Sequence, residues 1–186
     1  MSVPLVTRRF TVDEYHRMAE AGILREDDRV ELLDGRIVEM SPIGPRHAGC
    51  VSALNRLLYQ RLGTSVILGI QNPLVLGPRS APEPDVAVLR PAPDFYREAH
   101  PRPGDVLLIV EVADSSAEAD RDVKIPLYAA AGIPEVWLVD LQAERIETYR
   151  SPTPHGYQSV RPFTRGESVS ALAVPTGSVE VSEVVG

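Results

Sequence analysis

The chain is poor in sulfur chemistry. Its 186 residues hold a single cysteine, Cys50. No internal disulfide can form, and a reducing cytoplasm is the expected setting. Cys50 itself reads as a small helix residue rather than a nucleophile. No apolar run approaches the roughly 20 residues of a membrane span. The N-terminus, MSVPLVTRRF, lacks a long apolar core followed by a small-residue cleavage site, so no secretory signal is expected. Positive charge is in deficit: 19 Lys and Arg face 26 Asp and Glu, a formal net charge of −7. That balance argues against a broadly basic nucleic-acid surface, although acids that hold a metal would belong to the same count. The most basic stretch, Arg145, Arg150, Arg161 and Arg165, reads as a solvated face before a phosphate-binding one. There is no Cys/His cluster for zinc, no Gly-rich phosphate loop and no Ser-centred nucleophile elbow. Internal repeats, low-complexity tracts and a separate DNA-reading module are missing too.

What is present suits one domain over residues 1–186, with a hydrophobic fraction of 44% and a charged fraction of 24%, ordinary values for a globular protein. Thr11 with Glu14 three residues on forms a capping box for a helix carrying Val12, Tyr15 and Met18. Asp34-Gly35, between the apolar segments of VELLDGRIVEM, predicts a β-hairpin. Val51, Leu54, Leu57, Leu58 and Leu62 lie on one stripe of a helix that starts near His47 and stops at Gly63. SVILGI and PLVLG read as strands with a bend at Gly69 or Asn72-Pro73. Pro91–Gly104 is a long polar loop. Val106–Val112 has the near-continuous apolar run of a central strand. A helix follows, with Ser115 or Ser116 as its cap and Pro126 expected to kink it or set its first turn. EVWLVDL is another strand, and the tail, including SVEVSEVV, reads as short strands. The order predicts an α/β fold: a mixed β-sheet flanked by helices, with an N-terminal helix and hairpin.

Two acids stand where an apolar strand would rather have none. Asp85 opens the run Val86–Leu89, and Glu111 sits among Ile109, Val110 and Val112. A lone carboxylate inside a buried strand is costly unless paired, hydrogen-bonded or bound to a cation. Two on neighbouring strands repel each other and call for a cation between them. Lys124 follows one segment later. Each residue also has a plainer account: an acid paired with a buried arginine, or a helix lysine paired with Asp120.

Taken in order, ELLDGRIVEMSP, a histidine, QNPLVL, EPDVAVL, LIVEVADSS, K-x3-Y and GIPEVWLVDL resemble the Uma-two family of proposed restriction endonucleases, within the PD-(D/E)XK nuclease superfamily. The match runs from about Arg29 to Asp140. The resemblance implies a restriction-endonuclease-like core and a metal-dependent endonuclease that hydrolyses DNA phosphodiester bonds. It implies Asp85 and Glu111 as ligands of Mg²⁺ or Mn²⁺, and a catalytic lysine. The usual lysine position, two residues after the acid, is Ala113 here, so Lys124 is the expected substitute. Glu31, between Val30 and Leu32, which point to the other face, is the candidate for an additional early acid. Gln71 and His47 are candidate substrate or second-layer contacts, against plainer roles as a turn residue and a helix-start residue. Tyr128 and Trp137 are expected to pack in the core. A homodimer would suit cleavage of both strands. The alternative is a nuclease-fold protein that no longer cuts and serves as a binding or assembly module.

Overall fold

The segment Val106–Ala113 is buried along all of its eight residues. Side chains of a strand alternate between faces, so full burial requires cover on both sides. Leu108, Val110 and Val112 turn one way and pack with Leu54 and Leu58 of the helix Pro45–Leu62. Ile109 and Ala113 turn the other way and pack with Ile125 and Tyr128 of the helix Ile125–Ala130. Glu111 falls on this second face by the same alternation.

The computed structural model describes residues 7–25, 27–114 and 120–186. In chain order the elements are α1 (Val12–Glu20), β1 (Val30–Leu33), β2 (Arg36–Glu39), α2 (Pro45–Leu62), β3 (Ile67–Ile70), β4 (Val86–Leu89) and β5 (Val106–Ala113). A π-helical turn (Asp120–Lys124) then leads into α3 (Ile125–Ala130), β6 (Glu135–Asp140), β7 (Arg145–Thr153), β8 (Gly156–Thr164), β9 (Ser168–Val169), β10 (Val179–Glu180) and α4 (Val181–Val185). Strands β3-β4-β5-β6-β7-β8 form one six-stranded sheet in that order. Only β5 and β6 are parallel within it, joined through the π turn and α3; the other neighbours are antiparallel. This is the α/β fold with a mixed, helix-flanked sheet. Among the described residues no helix is long and apolar enough to cross a membrane.

The N-terminal signals are realised locally. Thr11 Oγ1 accepts from the Glu14 N–H at 3.2 Å, and Glu14 Oε2 accepts from the Thr11 N–H at 2.9 Å. Asp34 and Gly35 both have positive φ, 46° and 74°, as a type I′ turn requires. A Cβ on Gly35 would lie 2.7 Å from that of Arg9, so the turn also needs glycine for space. Pro126 is the second residue of α3, where its missing N–H costs nothing. The proposed caps Ser115 and Ser116 lie outside the described residues.

Three readings change. The bend near residue 70 is made by Gln71, at φ 52°, while Gly69 lies within β3. PLVLG forms no strand of the sheet: it makes an isolated bridge, Gly77 to Ser80, and its Leu74, Val75 and Leu76 N–H groups donate to the carbonyls of Pro82, Pro101 and Ser80. The tail is not all short strands. Strands β7 and β8 form a hairpin of nine residues each. SVEVSEVV ends in a helix, because Glu183 Oε2 caps the Glu180 N–H at 2.9 Å and Val181 and Val184, three apart, are buried together.

Arg121, in the π turn, ties the crossover to the sheet. Its Nε donates to Glu147 Oε2 at 2.9 Å and its Nη2 to Asp140 Oδ2 at 2.9 Å. Burial pushes both carboxyls up. The Ala143 N–H and Arg121 outweigh it at Asp140, and Arg121 with the Tyr149 hydroxyl outweighs it at Glu147, so both are held below their ordinary range. A depressed carboxyl stabilises above its unfolded pKa, about 3.9 for Asp and 4.3 for Glu, and that stability is lost as pH falls through the folded value. Arg121→Ala should cost about 1–2 kcal/mol at pH 7, allowing for the arginine's partial exposure, and much less at pH 3. Urea melts at the two pH values check this; equal losses would refute it.

Candidate functional site

Strand register sets the two acids side by side. Val86 pairs with Val110 and Ala87 with Ile109. One step further in the same register brings Asp85 opposite Glu111, on the face that carries α3. Both are buried, at 8% and 2% exposure. Asp85 is heavily bonded. Its Oδ2 accepts from the Val112 N–H at 2.8 Å and lies 3.1 Å from His47 Nε2. Its Oδ1 accepts from Gln71 Nε2 at 3.1 Å. The left-handed backbone at Gln71 lets the same residue also donate its N–H to the Asp85 carbonyl at 3.2 Å.

Glu111 is addressed from the crossover. The Tyr128 hydroxyl donates to its Oε1 at 2.5 Å, and Lys124 Nζ lies 3.5 Å from the same oxygen. Lys124 and Tyr128 are four residues apart, so one side of the π turn and α3 presents both. Lys124 also reaches Glu31 Oε1 at 3.2 Å, while Glu31 Oε2 accepts from the Glu83 N–H at 3.0 Å. The ammonium thus bridges an acid of β1 and an acid of β5. Ala113, two residues after Glu111, shares its face of the sheet and is buried against Ile125 and Tyr128.

Burial pushes the Glu111 carboxyl up to about 8, with Lys124 pulling against it. Burial would lower Lys124, but the carboxylates of Glu111 and Glu31 outweigh it and hold the ammonium charged, well above its usual range. The hydrogen bond to Asp85 raises His47 against the effect of burial, and burial raises Glu83. The Cys50 thiol is pushed up to about 12 by burial, which makes it an inert core group.

Glu31, His47, Gln71, Glu83, Asp85, Glu111 and Lys124 line a cavity of about 780 Å³. Nine of its lining residues are Asp or Glu and four are Arg or Lys, an excess that favours a bound cation. The buried Nδ1 of His47 has no partner among the described residues.

The structure brings Asp85, Glu111, Lys124, Glu31, His47 and Gln71 to this one place. Glu31 is buried at 4%, not a surface strand residue. Five contributors escape the sequence reading. Glu83 lies two residues before Asp85, a period-two signal. Tyr128 does more than pack, and its spacing from Lys124 was the available clue. Asp120, which the plainer account pairs with an exposed Lys124, is itself buried. Arg29 and Arg36 line the cavity from the β1–β2 hairpin. The basic C-terminal residues, in contrast, are each ion-paired: Arg145 with Glu147, Arg150 with Glu135, Arg161 with Glu167 and Arg165 with Glu144.

A family model, Uma2, described as "Putative restriction endonuclease", matches residues 12–182. A crystal structure of a "putative nuclease belonging to DUF820" from Anabaena variabilis is similar, with a TM-score of 0.71 over 95% of this chain and 97% of that one. The identity is 14%, so the likeness is one of fold. No curated protein matches the chain.

Charge burial gives an asymmetric expectation. Lys124→Met leaves Glu31 and Glu111 buried without their shared cation and should cost about 3 kcal/mol. Glu111→Gln removes a charge that burial already opposes and should melt no lower than wild type. Thermal melts at pH 7 decide; a lower midpoint for Glu111→Gln than for Lys124→Met would contradict this account.

Proposed function

The chain belongs to the Uma2 family, and on that premise we propose that it is a metal-dependent endonuclease that hydrolyses DNA phosphodiester bonds. One observation carries the reading: Asp85 and Glu111, on adjacent strands of one sheet face, share a cavity with the Lys124 ammonium 3.5 Å from Glu111. This is the PD-(D/E)XK constellation with its lysine moved from the strand to the following helical segment.

The donor set fits Mg²⁺ or Mn²⁺. Both cations take carboxylate oxygen, and Mg²⁺ keeps several waters beside one or two carboxylates and the substrate phosphate. Among the described residues no group of three or more His, Cys, Asp or Glu is gathered as a ready metal cage. Asp85 and Glu111 would hold the ion, which when bound lowers the pKa of its water and offsets charge on the phosphate.

The chain's own groups prepare the rest. Gln71, His47 and the Val112 N–H fix Asp85; Tyr128 fixes Glu111. Glu31 holds Lys124 in place. The ammonium supplies positive charge where the phosphate gains negative charge in the transition state. Cleavage of both strands with one such site per chain is simplest in a homodimer.

A second reading, a non-cutting binding or assembly module of the same fold, is favoured by the three protein donors that already occupy Asp85. Calorimetry with Mn²⁺ and cleavage of plasmid DNA separate the two. Asp85→Asn and Glu111→Gln should each weaken Mn²⁺ binding without unfolding. Lys124→Ala should leave Mn²⁺ affinity nearly intact but slow single-turnover cleavage by about 10² or more. Absence of Mn²⁺ binding and of cleavage in the wild type would favour the module. Light scattering should show a dimer at micromolar concentration; a monomer would remove the two-fold part of the proposal.

A further inference from the structure

One face of the β1–β2 hairpin is turned entirely into the cavity. In an antiparallel pair, residues directly opposite each other point to the same side. Glu31 is opposite Val38, and Leu33 is opposite Arg36. The Met40 N–H bonds the Arg29 carbonyl at 2.8 Å, which extends the pairing by one row. The face therefore carries Arg29, Glu31 and Leu33 on one strand and Met40, Val38 and Arg36 on the other. All six line the cavity.

The charges on this face are ordered. Glu31, in the middle row, is buried and holds Lys124. Arg29 and Arg36, in the outer rows, are exposed, and neither makes an ion pair among the described residues. The C-terminal arginines, in contrast, are all neutralised by acids. At about 3.3 Å of rise per residue, each outer row lies about 6.6 Å along the strand from the Glu31 row, a step comparable to one backbone repeat of an extended nucleic-acid strand. Arg29 is close enough for its charge to be felt at His47 and Glu83. Val38, opposite Glu31, with Met40 and Leu33 beside the arginines, offers an apolar surface for sugars, and the charge of Glu31 is met by Lys124.

We propose that this hairpin face is a backbone clamp, on which Arg29 and Arg36 bind the DNA phosphates to either side of the one presented to Lys124. The proposal rests on the nuclease reading and deepens it. Within an acid-rich cavity, two free guanidiniums flanking the site give a phosphate strand a place to enter. They also fix its direction along β1, so that a single phosphate reaches the two acids. The hairpin is thus the part that positions the substrate, whereas β4, β5 and the π turn carry the chemistry.

The test is the salt dependence of DNA binding. Each phosphate contact contributes about 0.7 to the slope of log K against log salt for single strands and about 0.9 for duplex. Fluorescence anisotropy with labelled single-stranded and duplex DNA, in Ca²⁺, would compare wild type with Arg29→Gln, Arg36→Gln, the double variant and Arg165→Gln as a paired-arginine control. The double variant should lower the slope by about 1.4 for single strands or about 1.8 for duplex, and the form whose slope falls by its own amount is the form the clamp binds. Arg165→Gln should leave the slope as in wild type, and Mn²⁺ affinity should be the same in all. A wild type that binds DNA while the double variant keeps its slope overturns the clamp and leaves the nuclease reading standing. A wild type that binds neither DNA at low salt overturns both.

Discussion

The ammonium of Lys124, held between Glu31 and Glu111, is the contact on which the site depends. Charges in a protein interior are tolerated when they are paired and hydrogen-bonded. This pairing draws on three separate pieces of chain: β1 brings Glu31, β5 brings Glu111, and the π turn brings Lys124. None can shift without leaving a buried charge uncompensated. Tyr128 adds a second bond from the same helical side. The cluster is therefore a structural tie between hairpin, sheet and crossover, set in the wall of the cavity.

The sheet makes that tie possible. A parallel step from β5 to β6 requires a crossover, and the crossover lays the π turn and α3 across the sheet face that Glu111 occupies. A π turn adds a residue to the helical repeat and is often found at functional positions. Here it precedes Pro126, which sets the start of α3. On the opposite face, α2 seals Leu108, Val110 and Val112, and its first turn contributes His47 to Asp85. Each face thus has its own apolar core, and the polar groups are gathered at one end of β4 and β5.

Charge is distributed to match. Acids outnumber bases around the cavity, while the arginines of the C-terminal hairpin region are spent on Glu135, Glu144, Glu147 and Glu167. On the proposed reading the net acidity of the chain does not oppose a nucleic-acid substrate: part of it would belong to the cation site, and Arg29 and Arg36 at the cavity wall make no ion pair among the described residues.

Much of this was legible in the residues. The alternation and full apolarity of Val106–Val112, the Thr11 capping box and the Asp34-Gly35 turn act over a few residues, so local pattern determined them. The cost of a carboxylate in an apolar strand marked Asp85 and Glu111 before any contact was known. Lys124 could be named from the sequence as a companion of Glu111 because Ala113 cannot carry a charge, and the structure places its ammonium 3.5 Å from Glu111. Other features depend on segments far apart in the chain. That Lys124 reaches the distant Glu31, beyond its neighbour Asp120, is decided by the crossover, which brings the π turn to the hairpin and β5. Gln71 becomes a partner of Asp85 only because β3 pairs with β4 and the chain turns at positive φ. The helix at Val181–Val185 won over a strand because its valines found α2 to pack against. Which arginines are free and which are paired follows from the placement of acids on other strands, and spacing along the sequence carries no record of that.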